Sequence, residues 1–224
     1  MDFGKIKRKL KASVLKLPHI KAKRKKYGEY MKSRYDYDLG SPTIMCSACI
    51  GGMISHELGL QFMSPTINLW MMPSDLVKLV SNPDKYMNAE FEEISDSGYS
   101  YPVGRLLDIT IYFNHYNSFE EAVRIWMRRK KRIDWDNLYI ITDDKNLTDV
   151  EIETLKNVKC KRLVIFTKDE RKDECFFKYE CYENAPEVGF YSARDLRGFA
   201  PYEREFDYCR WFLGDKDYRM KIKF

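Results

Sequence analysis

Cys49 stands at a turn where chemistry is feasible. The apolar run Pro42-Thr43-Ile44-Met45-Cys46 precedes it, Ile50-Gly51-Gly52 follows, and residues 53–58 read as helical. Gly51 and Gly52 let the backbone come close to a ligand, and a helix start turns free N–H groups toward it. A thiol held there has its thiolate favoured by the helix dipole. Two further turns carry matching chemistry. Asn114, His115 and Tyr116 follow an apolar run ending at Phe113, and Asp143-Asp144 follow another ending at Thr142. In α/β sheets, ligands collect beyond the carboxyl ends of the strands. Cys49, His115 and Asp144 would then supply a nucleophile, a base and an orienting acid. The plainer alternative makes Cys49 a small buried hydrophobe and His115 a hydrogen-bonded structural residue.

Other residues suit binding. Ser64 and Asn68, in Ser64-Pro65-Thr66-Ile67-Asn68, offer donors and acceptors for a hydroxyl-rich ligand, or else satisfy the turn's own backbone. Arg124, Arg128, Arg129, Lys130, Lys131 and Arg132 crowd one helix, with 124, 128 and 131 on one face. Arg128 and Arg129 could grip a phosphate; the alternative is a solvated face with cations at a helix C-terminus. His56, one turn beyond Gly52, is either a pocket residue or structural. Asp143-Asp144 could meet a metal or merely open a turn, and Cys46 with Cys49 lacks the further ligands a zinc site needs. We assign no metal site, and the sequence specifies no cofactor.

These side chains need a scaffold, and the pattern supplies one. Strands are expected at 42–47, 106–113, 138–142 and 162–166, with a small hairpin from 91–96 and 99–103. Helices are expected at 51–58, from Pro73 to Val80 with Ser74 as cap, from Ser118 to Lys131, from Thr148 to Asn157 and from Glu203 to Leu213. Ser118/Glu121 and Thr148/Glu151 have capping-box spacing. The alternation predicts an α/β fold in three layers, a mostly parallel sheet covered by helices.

The 224 residues are 44% hydrophobic and 15% aromatic, ample for a packed core. Charge is lopsided. Residues 1–34 hold thirteen Lys and Arg against Asp2 and Glu29, a net +11, so the remainder carries −6 of the chain's +5. Phe3, Ile6, Leu10, Val14 and Leu17 step at helical spacing between lysines up to Pro18, and Ile20, Tyr27, Tyr30 and Met31 continue the apolar positions. We therefore expect a basic helical arm at 1–38 and an α/β domain at 39–224. The arm, residues 1–34, would rest on an anionic membrane surface or pack its apolar stripe on protein. Nucleic acid is not the expected partner, since the body shows no motif for it. No apolar run reaches the ~20 residues needed to span a bilayer. The start lacks a secretory signal's apolar core, so reduced cytoplasmic thiols are expected, at most peripheral at the inner face of the membrane.

Taken together, Cys49-Ile-Gly-Gly, Phe62-Met-Ser-Pro-Thr-Ile-Asn-Leu-Trp70, His115-Tyr-Asn-Ser and Trp126-Met-Arg-Arg129 resemble an uncharacterised bacterial family of unknown function, labelled exopolysaccharide or capsule biosynthesis proteins. The resemblance spans roughly residues 40 to 215. Many members have Asn where this chain has Ala48. The resemblance implies a transferase acting on a sugar or sugar-phosphate, with a sugar nucleotide as a ligand of the same class. In that setting Asn68 and His115 would position or deprotonate a hydroxyl, Arg128 or Arg129 would hold a phosphate, and Cys49 would be the nucleophile of a covalent variant. A non-catalytic adaptor docking polysaccharide machinery at the membrane is the alternative.

Overall fold

A computed structural model describes residues 18–188 and 205–221. The expected helix at 3–17, the side chain of Ile20 and the first residues of the expected closing helix lie outside the described residues. Two compact units emerge: the described parts of Met1–Asp36 and Gly189–Phe224 form one, and Tyr37–Val188 forms the other. The C-terminal segment thus groups with the N-terminal one, where the sequence suggested a single boundary near residue 38.

The larger unit is built on four parallel strands, β1 (Thr43–Cys46), β5 (Leu138–Asp143), β6 (Arg162–Thr167) and β7 (Phe176–Lys178), in the order β1-β5-β6-β7. A second sheet of β2 (Phe91–Glu93), β3 (Val103–Leu106) and β4 (Ile109–Tyr112) is antiparallel. Its helices are α2 (Ile50–Leu58), α3 (Pro73–Ser81), α4 (Pro83–Met87), α5 (Phe119–Lys130) and α6 (Asp149–Lys156), and α1 (Pro18–Arg34) and α7 (Tyr208–Phe212) belong to the smaller unit. The fold is α/β, as the alternation predicted.

Side chains alternate across a strand, so β1 serves two layers. Met45 joins Leu138, Ile140 and Ile165 in a core with Leu76 and Leu79 of α3, Trp126 of α5 and Leu155 of α6. Ile44 and Cys46 meet α2 instead. A Cβ on Gly51 would lie 2.9 Å from Cys46 Sγ and 3.2 Å from Ile44 Cγ2, so only glycine permits this approach. Every residue of β5 from Leu138 to Thr142 is buried, which accounts for its unbroken apolar run.

Two local expectations are corrected. The run 106–113 is not one strand. It turns at Leu107 and Asp108, and Leu106 pairs with Ile109. No Gly or Pro marks the turn; tertiary bonds hold it. The Asp108 carboxylate accepts from the Tyr86 hydroxyl at 2.8 Å and pairs with Lys78 and Lys85, and these bonds, Tyr86 first, lower its pKa to about 2. Consequently the strand before His115 belongs to the antiparallel sheet. Helix α3 starts with Met72 as N-cap and Pro73 in its first turn, not with Ser74 as cap, because Pro carries its own helical φ and lacks the N–H that a cap would satisfy. By contrast Ser118 accepts from Glu121 N, and Thr148 with Glu151 forms a full capping box.

In the smaller unit, Tyr27, Met31 and Tyr35 line one side of the α1 segment and are buried. Cys209 Sγ donates to the Met31 carbonyl at 3.3 Å, Tyr35 meets Phe212 edge-on, and Arg34 pairs with Asp207, which also caps α7. Packing thus occupies the apolar side of this part of the basic segment. Among the described residues no helix is long and apolar enough to cross a membrane.

Candidate functional site

The turn after β1 is pinned on both sides. Ser47 Oγ accepts from Thr142 Oγ1 at 3.0 Å, and the Ser47 carbonyl accepts from Met71 N at 2.9 Å. Cys49 then becomes the N-cap of α2, at the positive end of the helix dipole. Below it, Thr66 Oγ1 accepts from Cys46 N at 3.0 Å, and Ser64 Oγ accepts from Thr66 N at 3.1 Å. Ser64 is fully buried, and its polar capacity goes into this turn.

The second sheet delivers the base. Trp70 and Tyr112 exchange backbone bonds of 2.9 and 2.8 Å, tying the 61–72 segment to β4. This brings the residues just after β4 over the start of α2. His115 Nε2 lies 3.2 Å from Cys49 Sγ. Asn114 Nδ2 approaches the same sulfur at 3.9 Å, and the Leu69 carbonyl stands 3.9 Å from it. Cys49 is 8% exposed, while Asn114 and His115 lie open to solvent, so a buried sulfur sits beneath an accessible imidazole. Burial pushes the Cys49 thiol up and the Asn114 contact pulls it down. Deprotonation there calls for an acceptor in contact, and His115 is placed as one.

Asn68 completes the cluster. It adopts a left-handed backbone (φ 62°), and its Oδ1 would lie 2.2 Å from a Cβ on residue 52. Gly52 therefore makes room for the carboxamide. Among the described residues, the Asn68 amide has no protein hydrogen-bond partner.

Cys49, Gly51, Gly52, Asn68, Asn114 and His115 are thus gathered around the start of α2, whereas Ser64 is sealed below it. Asp144 accepts from Thr167 Oγ1 at 2.6 Å, and among the described residues no hydrogen bond joins it to His115. Asp143 accepts from Lys145 N, so both carboxylates serve strand ends and a turn. Cys46 is wholly buried with its thiol raised to about 12, chiefly by desolvation, which leaves it unsuited to thiolate chemistry.

Arg128 and Arg129 lie elsewhere in the same unit. With Arg132, His56, Ser55, Gly59, Leu60 and Phe62 they line a cavity of about 340 Å³ at the far end of α2. Arg129 is 6% exposed; its Nη1 donates to the Ile67 carbonyl at 2.7 Å and the Tyr116 hydroxyl at 2.8 Å, and its guanidinium lies 5.0 Å from the Phe62 ring centroid. Arg132 Nη1 donates to the Phe62 carbonyl at 3.2 Å. The basic run announced cations but not which of them line a cavity. Phe62, Leu60 and Tyr116 gave no local signal of their place here, because each is brought in by a loop.

The sequence profile described as Domain of unknown function (DUF1919) matches residues 21–213. A protein of Haemophilus influenzae described as "Uncharacterized protein" is 33% identical over 173 residues, covering 76% of this chain and 83% of its own length. Neither description names an activity.

Proposed function

The chain belongs to the family with domain of unknown function DUF1919, and from that footing we propose that it is a group transferase acting on a sugar or sugar-phosphate in bacterial exopolysaccharide or capsule biosynthesis, with Cys49 as its nucleophile. One observation carries the catalytic part: the 3.2 Å approach of His115 Nε2 to Cys49 Sγ across 66 residues of chain. The polysaccharide setting rests on the resemblance of the motifs around Cys49, Asn68, His115 and Arg129.

Thiol–imidazole pairs suit acyl transfer. His115 takes the Cys49 proton, and the thiolate attacks the carbonyl carbon of an ester. A C–S bond forms, the ester C–O bond breaks, and the departing alkoxide takes the proton back from His115. A sugar hydroxyl, deprotonated by His115, then attacks the thioester, its C–O bond replacing C–S and returning the proton to the thiolate. The Asn114 amide, 3.9 Å from the sulfur, and the Asn68 amide, held against Gly52 in the first turn of α2, are the donors we assign to stabilising a developing oxyanion. Among the described residues no carboxylate bonds to His115, so the proposed machinery is a dyad.

The test uses p-nitrophenyl acetate with mapping of the acetylated residue by mass spectrometry. Acetyl on Cys49, formed with a burst of p-nitrophenolate and lost in His115→Gln, is the expected result. Acetylation spread equally over Cys160 and Cys175, or unchanged in His115→Gln, rejects the nucleophile.

A further inference from the structure

The arginine cavity raises a question that the thiol site does not answer. Arg129 is buried, yet both of its hydrogen-bond acceptors are neutral. Its charged neighbours are Arg128 and Arg132, which, after desolvation, disfavour its charged form, opposed only by Tyr116. Among the described residues, none of the three arginines has a carboxylate within ion-pair distance. By contrast, Arg34 and Arg219 pair with the buried Asp207 and Glu205.

Burying cationic charge beside more of the same sign is costly unless an anion offsets it. The end of α5 supplies part of the offset, since Arg128 and Arg129 lie in its last turn. That effect fades within a turn, and it leaves Arg129 buried beside the half-buried Arg132 and the exposed Arg128 with no anion to offset them among the described residues. Guanidinium forks match the oxygens of phosphate groups two at a time. The volume, about 340 Å³, is at the small end of ligand sites, and Phe62 and Leu60 give it an apolar wall beside the cationic one.

We infer that this cavity binds the phosphate or pyrophosphate group of a small soluble ligand, with Arg128 and Arg132 contacting the anion and Arg129 fixed behind them. It lies about 10 Å along α2 from Cys49, from seven residues at 1.5 Å rise. The turn at 67–69 links the two places: the Ile67 carbonyl holds Arg129, Asn68 rests on Gly52, and the Leu69 carbonyl faces Cys49. The inference stands without the acyl-transfer reading, since it concerns binding alone.

Isothermal titration of the full chain with inorganic pyrophosphate, and separately with uridine diphosphate, tests it. Saturable one-to-one binding is expected, weakened about tenfold, about 1.4 kcal/mol, in Arg128→Gln and in Arg132→Gln. Arg128 is exposed, so its variant folds, and a thermal midpoint raised by ligand in the wild type but not in the variants gives a second readout. Cys49→Ala should bind as the wild type does. Tighter binding of uridine diphosphate marks a nucleotide ligand; equal binding marks recognition of the pyrophosphate alone. Absence of binding at millimolar pyrophosphate and uridine diphosphate, or binding unchanged in both arginine variants, overturns the site.

Discussion

The carboxamide of Asn68 occupies the space that a side chain on residue 52 would fill, with Oδ1 2.2 Å from the ideal Cβ position of Gly52. The Ile67 Cγ2 atom, 3.1 Å from the same point, closes the other side. Alanine is the better helix former by about 1 kcal/mol, so Gly52→Ala should fold. It should also expel the Asn68 amide from its place against the first turn of α2. The expected result is near-normal stability with loss of the acetylation burst, measured by chemical denaturation and p-nitrophenolate release. An unaltered burst would detach Asn68 from the chemistry.

Gly51→Ala should behave differently. Its Cβ would press on Cys46 Sγ and Ile44 Cγ2, both in a buried strand with little freedom to move. Overpacking of this kind costs about 1–3 kcal/mol, enough to outweigh the gain in helix propensity. A denaturation midpoint equal to or above that of the wild type would contradict the tight packing of α2 on β1.

Iodoacetamide should separate the thiols. Cys46 and Cys175 are raised to about 12, with burial the first cause in each, and burial raises Cys49 as well. With His115 as proton acceptor, Cys49 should label faster than Cys46, Cys160 or Cys175 below about pH 8, and His115→Gln should slow it about tenfold or more. Equal rates among the four thiols, read by peptide mass spectrometry, would remove the dyad.

Cys46 predicts an alkaline weakness. Its folded pKa of about 12 exceeds the unfolded thiol value of about 8.5. Above the unfolded value the unfolded chain loses this proton while the native state keeps it, so stability falls as pH rises toward the folded value. From about pH 8 to about pH 10 the loss from this thiol is about 2 kcal/mol. Cys46→Ala should start less stable and show a shallower decline in urea midpoints across that range.

Asp207 ties the smaller unit together. It is 1% exposed, pairs with Arg34 and caps α7 through Arg210 N. Asp207→Ala removes the cap of α7 and the carboxylate that pairs with the half-buried Arg34, and should cost about 1–3 kcal/mol. Hydrogen exchange in α1 and α7 should rise sharply; exchange unchanged in both helices would count against the pair as their tie.

Much of this protein was legible from local pattern. The apolar runs of β5 and β6, the cap at Ser118 and the capping box at Thr148 are written in neighbouring residues, because burial on both strand faces and helix-start hydrogen bonds are satisfied within a few positions. The proximity of a strand end, two glycines and a helix around Cys49 was equally readable. What the chain order could not say was which turns meet. His115 reaches Cys49 because a Trp70–Tyr112 bridge joins a loop to a second sheet, Asp144 turns instead to Thr167, and Arg129 is drawn to the Ile67 carbonyl. Turns such as Leu107–Asp108 are held by bonds to distant Tyr86 and Lys78. Short-range geometry sets helices and strands; convergence of polar groups depends on long-range contacts, whose energy appears only when the whole unit is packed.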